Sequence, residues 1–274
     1  MSVNFSYVDS ALQHMEDGEP PPFWRHFHWG LFDEPDRADD SPERYFVAAE
    51  AMTDHVIAAA GVGAGRRVLD VGCGFGGTLD HIRSRHDGCR LVGLNIDERQ
   101  VRWAGRLLDR GESPVSFVTA DGCRLPVADG SLDHVLAVEC IFHFPSRKAF
   151  FVEVARVLRP GGTLALSDFL MAPGALAQVA ETMASSAAGV GEDSWYGHMA
   201  KPLTSSGYER LARRTGLEPL VDDDVNRRTL PTYAALRRLA AEDTSSDGVT
   251  SIDGIEALAI TGDLAYHVLS FRKP

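Results

Sequence analysis

Apolar residues recur along the chain in two rhythms, and their alternation predicts the fold. Short apolar runs stand at residues 67–71, 90–94, 115–119, 132–138 and 163–167. Each is short enough, and rich enough in Val and Leu, to be a buried strand. Between them lie segments with apolar residues every three or four positions. Residues 78–85 read as one helix. Residues 98–110 read as another, with Val101, Ala104, Leu107 and Leu108 on one face. A third carries Ala149, Val152, Val154, Ala155 and Leu158, and stops at Pro160-Gly161-Gly162. Further on, 208–215 and 232–241 read as helices, and 217–221 and 265–271 as strands. Apolar strands alternating with helices require a parallel sheet covered on both faces.

Two regions break this rhythm. The first 65 residues are rich in Pro, Asp and aromatics before a helix expected at 43–60. They are expected to form an N-terminal helical and aromatic cap, with residues 66–274 as the core. The second irregular region, about 170–204, follows the fifth strand and carries Met171, Met183, Trp195, Tyr196, His198 and Met199. It is expected to be a lid insertion. Residues 242–251 are polar and glycine-containing, and are expected to form a surface loop.

Composition narrows the function classes. The 274 residues are 44% hydrophobic, enough for a sizeable core. The net charge of −12 argues against nucleic acid as a partner, since phosphate backbones recruit Lys and Arg. No apolar run approaches the roughly 18 residues of a membrane span. No basic stretch leads into an apolar one near Met1, so no secretory signal is expected. Cys73, Cys89, Cys123 and Cys140 form no C-x-x-C pair and have no histidine cluster beside them in sequence. Free thiols in the cytoplasm, and no metal site, are the expectation.

The most informative chemistry lies in Val68-Leu69-Asp70-Val71-Gly72-Cys73-Gly74-Phe75-Gly76-Gly77. A hydrophobic strand ends beside an acid and runs through glycines into a helix. Such a loop brings backbone close to a nucleotide-like ligand. Gly72, Gly74 and Gly77 satisfy G-x-G-x-x-G, a weak signal alone. Asp70 inside the motif, and the openness of Gly76-Gly77, point away from a nicotinamide dinucleotide. A carboxylate at this place suits the ammonium of an amino-acid moiety.

This segment resembles the first motif of the class I S-adenosylmethionine (SAM)-dependent methyltransferases. Three more segments match that family in order: Leu91-Val92-Gly93-Leu94-Asn95-Ile96-Asp97, Thr119-Ala120-Asp121-Gly122-Cys123-Arg124-Leu125-Pro126 and Arg156-Val157-Leu158-Arg159-Pro160-Gly161-Gly162-Thr163-Leu164. The likeness is to the ubiquinone/menaquinone-type small-molecule enzymes and to natural-product sugar O-methyltransferases. It implies a Rossmann-like, seven-stranded, mostly parallel α/β sheet and SAM as cofactor, with S-adenosylhomocysteine as product. It further implies cofactor contacts from Asp70, Gly72, Cys73, Gly74, Gly77, Asn95, Ile96, Gln100, Ala120, Asp121, Gly122 and the Glu139 carbonyl. His26-Phe27-His28-Trp29-Gly30 resembles the aromatic-glycine segment that closes over the cofactor. One departure stands out: Asn95 occupies a place usually held by Asp or Glu, so the ribose bond loses its charge assistance. Asp97 reads as the cap of the next helix.

Ligands of doubly wound sheets sit at the carboxyl ends of strands. Glu139 to Pro145 and Asp168 follow two such ends. His143 is the candidate general base, since an imidazole titrates near neutrality. Asp168 could orient it, act as the base, or hold a substrate hydroxyl. His28, Trp29, Phe142, Trp195, Tyr196 and His198 are candidate substrate or lid residues. The reading is methyl transfer to a small-molecule acceptor, preferentially a hydroxyl. C- or N-methylation, a nicotinamide oxidoreductase and a non-catalytic SAM-binding protein are the alternatives. Oligomeric state is open.

Overall fold

The computed structural model describes residues 6–16, 25–109, 115–185, 199–242 and 246–274. The apolar runs form one seven-stranded sheet: β1 (Arg67–Val71), β2 (Arg90–Asn95), β3 (Val115–Thr119), β4 (Leu132–Val138), β5 (Leu158–Met171), β6 (Glu218–Asp224) and β7 (Leu264–Arg272). The order is β3-β2-β1-β4-β5-β7-β6. All neighbours are parallel except β7, which runs antiparallel to both β5 and β6. The α/β class and mostly parallel sheet expected from the sequence are observed. The order reverses between β1 and β4, which opens a crevice at their carboxyl ends.

Helices cover both faces. Those on or near the sheet are α1 (Ser6–Glu16), α2 (Pro42–Ala60), α3 (Gly77–Arg85), α4 (Glu98–Leu108), α5 (Arg147–Val157), α6 (Leu176–Ser185), α7 (Ser205–Arg214), α8 (Asn226–Thr229), α9 (Pro231–Glu242) and α10 (Ser246–Thr261). Local chemistry sets several ends. Ser41 caps α2 by accepting from the Arg44 amide, and Gly61 closes it in a left-handed turn. Asp97 caps α4, as expected, by accepting from the Arg99 amide at 2.8 Å. One core layer joins Met52 and Val56 of α2 to Val68, Leu136, Ala165 and Val268 of the sheet; the opposite layer packs Phe150, Phe151 and Val154 of α5 on Leu69, Val135 and Leu164.

Two local expectations need correction. The fifth strand spans Leu158–Met171, not 163–167: β7 pairs with it from Thr163↔Arg272 to Met171↔Leu264, and Leu158, expected on the preceding helix, pairs with Leu132 of β4. The expected loop at 242–251 is helical from Ser246 onward. The driving surface lies later in that helix, where Ile252, Leu258 and Ala259 are buried. Of the region expected to form a lid, the described part is the end of β5, α6 and residues 199–204. Trp195, Tyr196 and His198 lie outside the described residues.

Candidate active site

A cavity of about 460 Å³ opens at the carboxyl ends of β1, β2 and β4. It falls in the size range of small-molecule sites. The residues between β1 and α3 form its floor. Gly72 has φ +75°, and an added Cβ would stand 2.6 Å from Cys140 Cβ. Only glycine satisfies both constraints. Asp70, Gly72, Cys73 and Gly74 line the cavity, as do Asn95, Ile96 and Gln100 after β2, Ala120, Asp121 and Gly122 after β3, and Glu139 and His143 after β4. Sequence reasoning named all of these. Phe27, of the segment expected to close over the cofactor, also lines it, whereas Arg25, Phe75, Thr78, Cys140 and Phe144 were missed.

The cavity wall carries the carboxyls of Asp70 and Glu139. Asp70 is 2% exposed, and burial pushes its carboxyl up to about 8. Burial likewise pushes Glu139 up to about 8, against the opposing hydrogen bonds from Tyr266 and Trp29. The Asn95 amide is already engaged: Nδ2 donates to Gln100 Oε1 at 3.1 Å, and Oδ1 accepts from the Asp97 amide at 3.1 Å. Asn95 and Gln100 therefore present a joined pair of amides, not a lone acceptor. Asp121 is exposed and accepts from the Cys123 amide at 2.8 Å.

Several expected site residues lie elsewhere. Gly77 is absent from the cavity wall; a Cβ there would overlap the Arg25 carbonyl oxygen and stand 2.5 Å from its carbon. Its bareness admits the chain segment 25–32, which crosses α3 at this point and is here called the strap. Asp168 is fully buried and off the cavity. Its carboxylate is committed to Arg147 at 3.2 Å, the Tyr208 hydroxyl and the Phe169 amide. It braces α5, β5 and α7. Phe142 and Trp29 are core residues, not cavity lining. Trp29 packs edge-on against Phe169 and Tyr233, with ring centroids 5.0 and 5.6 Å away.

The strap does bring His28 to the cavity. Its Nδ1 lies 3.1 Å from the Trp29 carbonyl, which can only accept, so Nδ1 carries the proton. Nε2 lies 3.1 Å from the Thr53 hydroxyl oxygen, which donates to the Ala49 carbonyl at 3.2 Å and lies 3.3 Å from His26 Nδ1. Burial lowers His28 to about 4 and His26 to about 2, so both rings are neutral. No metal is expected from the sequence. The strap places ligand atoms of His26, Glu50 and His81 within 4.8 Å of one another. Both His81 nitrogens, however, are engaged, by Asp54 at 2.5 Å and Arg85 at 3.0 Å. No described helix is long and apolar enough to cross a membrane.

Comparison with known proteins adds the chemistry. A family model described as a methyltransferase domain matches residues 69–166. The chain is 34% identical over 216 residues to the methyltransferase GfsG of Streptomyces halstedii, covering 78% of this chain and 73% of that one. It is 30% identical over 246 residues to the 27-O-demethylrifamycin SV methyltransferase of Amycolatopsis mediterranei, covering 86% and 88%. Its fold matches geranyl diphosphate C-methyltransferase from Streptomyces coelicolor A3(2), solved with Mg2+, geranyl diphosphate and S-adenosyl-L-homocysteine. The TM-score is 0.74, with 16% identity and 100% of each chain covered.

Proposed function

The chain belongs to the SAM-dependent methyltransferases of small molecules, and from that premise we propose that it methylates a hydroxyl oxygen of a secondary metabolite, with His143 as general base. The observation that carries the reading is the placement of His143. It follows β4 at the sheet's switch point, lines the cavity and is only partly buried. The naming of a relative over most of the chain as a 27-O-demethylrifamycin SV methyltransferase supports oxygen as the acceptor.

The cavity residues fit the cofactor. Asp70 offers the carboxylate for an ammonium, and Asn95 with Gln100 an amide pair for ribose hydroxyls. Ile96, a large apolar side chain 38% exposed, supplies a surface for a flat base, with Asp121 at its polar edge. SAM supplies an activated methyl carbon, so the protein is left to position, desolvate and move one proton. A hydroxyl attacking that carbon must lose its proton, and His143 takes it. Phe144 and Pro145 line the same wall.

His143→Ala tests this. Turnover is expected to fall at least about 100-fold while S-adenosylhomocysteine affinity holds within about twofold. Equal losses in both, or unchanged turnover, remove His143 from the reaction. Acceptors carrying a free hydroxyl should yield an O-methyl signal in the product NMR spectrum; a C- or N-methyl signal overturns the oxygen assignment.

A further inference from the structure

Glu139 is the one non-glycine residue of the described backbone in the left-handed region, at φ +48°. Such a conformation persists only where the surroundings impose it, and it collects at ligand clamps. Here the surroundings are specific. The Glu139 amide donates to Ser167 Oγ at 3.1 Å. Its Oε2 accepts from the Tyr266 hydroxyl at 2.6 Å and from the Trp29 amide at 2.9 Å. Tyr266 and Ser167 are 2.9 Å apart and fully buried. One arrangement satisfies every proton: Ser167 accepts from the Glu139 amide and donates to Tyr266, which donates to Glu139.

The Trp29 bond differs from the other strap contacts. Gly30 donates to Thr232, Leu31 to Ala48 and Phe32 to Arg228, which tie the strap's end to the helices outside the sheet. Glu139 ties it to the cavity wall. The strap residues just before Trp29 are themselves lining: Arg25, Phe27 and His28. The backbone turn at Glu139 aims its carboxyl back across 110 residues of sequence to meet them.

We propose that Glu139 is a positioning residue that holds the strap shut over the cofactor cavity through the Trp29 amide, braced by Tyr266 and Ser167. This role belongs to its side chain, separate from any cofactor contact of its carbonyl. It does not depend on which acceptor the enzyme methylates.

Hydrogen exchange of the ligand-free protein tests it. Glu139→Ala is expected to speed exchange of the Trp29 amide about tenfold, with the β4 amides unchanged within about twofold. Glu139→Gln keeps an oxygen acceptor and is expected to restore most of the protection. In turnover, Glu139→Ala should raise the KM for SAM more than it lowers kcat. Unchanged strap exchange in Glu139→Ala overturns the proposal, as does an equal rise in strap and β4, or a glutamine variant as open as the alanine one. If Glu139→Ala does not fold, Tyr266→Phe carries the test. It removes one of the two donors to the same oxygen, and a strap exchange rate equal to wild type overturns the proposal.

Discussion

Gly77→Ala pits helix propensity against the strap. Gly77 opens α3 and has no positive φ, so alanine is conformationally acceptable there. Propensity alone predicts a gain of about 1 kcal/mol. The strap reverses the sign. The added carbon would overlap the Arg25 carbonyl oxygen and stand 2.5 Å from its carbon and 2.9 Å from its Cα. Carbon atoms rest at about 3.5–4.0 Å, so the strap must retreat by at least about 1 Å. These are backbone atoms, and no side-chain rotation relieves them. A retreat of that size takes the 2.9 Å Trp29–Glu139 bond and the 3.3 Å His26–Thr53 contact past hydrogen-bond reach. Losing two or three bonds at about 1 kcal/mol each, against the helix gain, leaves a net cost of about 1–2 kcal/mol.

That cost falls on closure, so it appears in binding. S-adenosylhomocysteine affinity is expected to drop by a factor of roughly 5–30, measured by calorimetry, with strap amides exchanging faster. Gly105→Ala is the internal control. It lies within α4, and a Cβ there meets nothing within 4 Å. It should raise the melting temperature and leave affinity alone. A Gly77→Ala protein that melts higher than wild type and binds with wild-type affinity would falsify the strap argument.

Three further outcomes are expected. Asp70 holds its proton below about 8 in the free protein, and a bound ammonium favours the ionised form; binding of SAM at pH 7 should therefore release protons and tighten as pH rises toward 8. Calorimetry in buffers of different ionisation enthalpy reads this, and Asp70→Asn should flatten most of it; a pH-independent affinity in wild type counts against the contact. Asn95→Asp should tighten S-adenosylhomocysteine about fivefold by restoring charge assistance at the ribose, and unchanged or weaker binding would place Asn95 off the ribose. Asp168→Asn should cost about 3–5 kcal/mol in denaturant unfolding by leaving buried Arg147 without its carboxylate, with cofactor affinity intact; weaker binding without loss of stability would return Asp168 to the site.

What was legible in the sequence follows from the range of the interactions. The first four strands are short apolar runs, and their edges are local. β5 is longer than its apolar centre because a partner strand at the far end of the chain extends it. The helix from Ser246 was obscured by Ser, Asp and Gly at its start, while its buried Ile252 and Leu258 lie later. The same division holds at the site. Asp70, Asn95, Asp121, Glu139 and His143 lie at or just beyond the carboxyl ends of strands, so the topology alone delivers them to one crevice. Gly77 was expected at the cofactor, and what stands against it is Arg25, on a segment no local pattern ties to it. Asp168 was expected at a strand end, but β5 runs on to Met171, and Arg147 and Tyr208 claim its carboxylate. Position along a strand predicted nearness to the site, and it left the direction of the side chain undetermined.

The Asp70 and Glu139 carboxyls on the wall give the proposed cofactor site groups whose ionisation responds to ligand charge. Burial disfavours the ionised form of both groups and pushes the Asp70 and Glu139 carboxyls up to about 8, Glu139 against the two hydrogen bonds it accepts from Tyr266 and Trp29. A cationic ligand supplies the missing counter-charge and makes ionisation favourable. SAM carries a sulfonium charge that S-adenosylhomocysteine lacks, while both carry the ammonium. With the proposed ammonium contact at Asp70 common to both ligands, a difference in the wall's ionisation between them would fall on Glu139. Glu139 is also the group hydrogen-bonded to the strap, and an ionised acceptor holds an amide more strongly than a neutral one. If its ionisation follows the sulfonium, strap closure is strongest on the cofactor that still has a methyl group to give and weakens once the transfer has removed the charge.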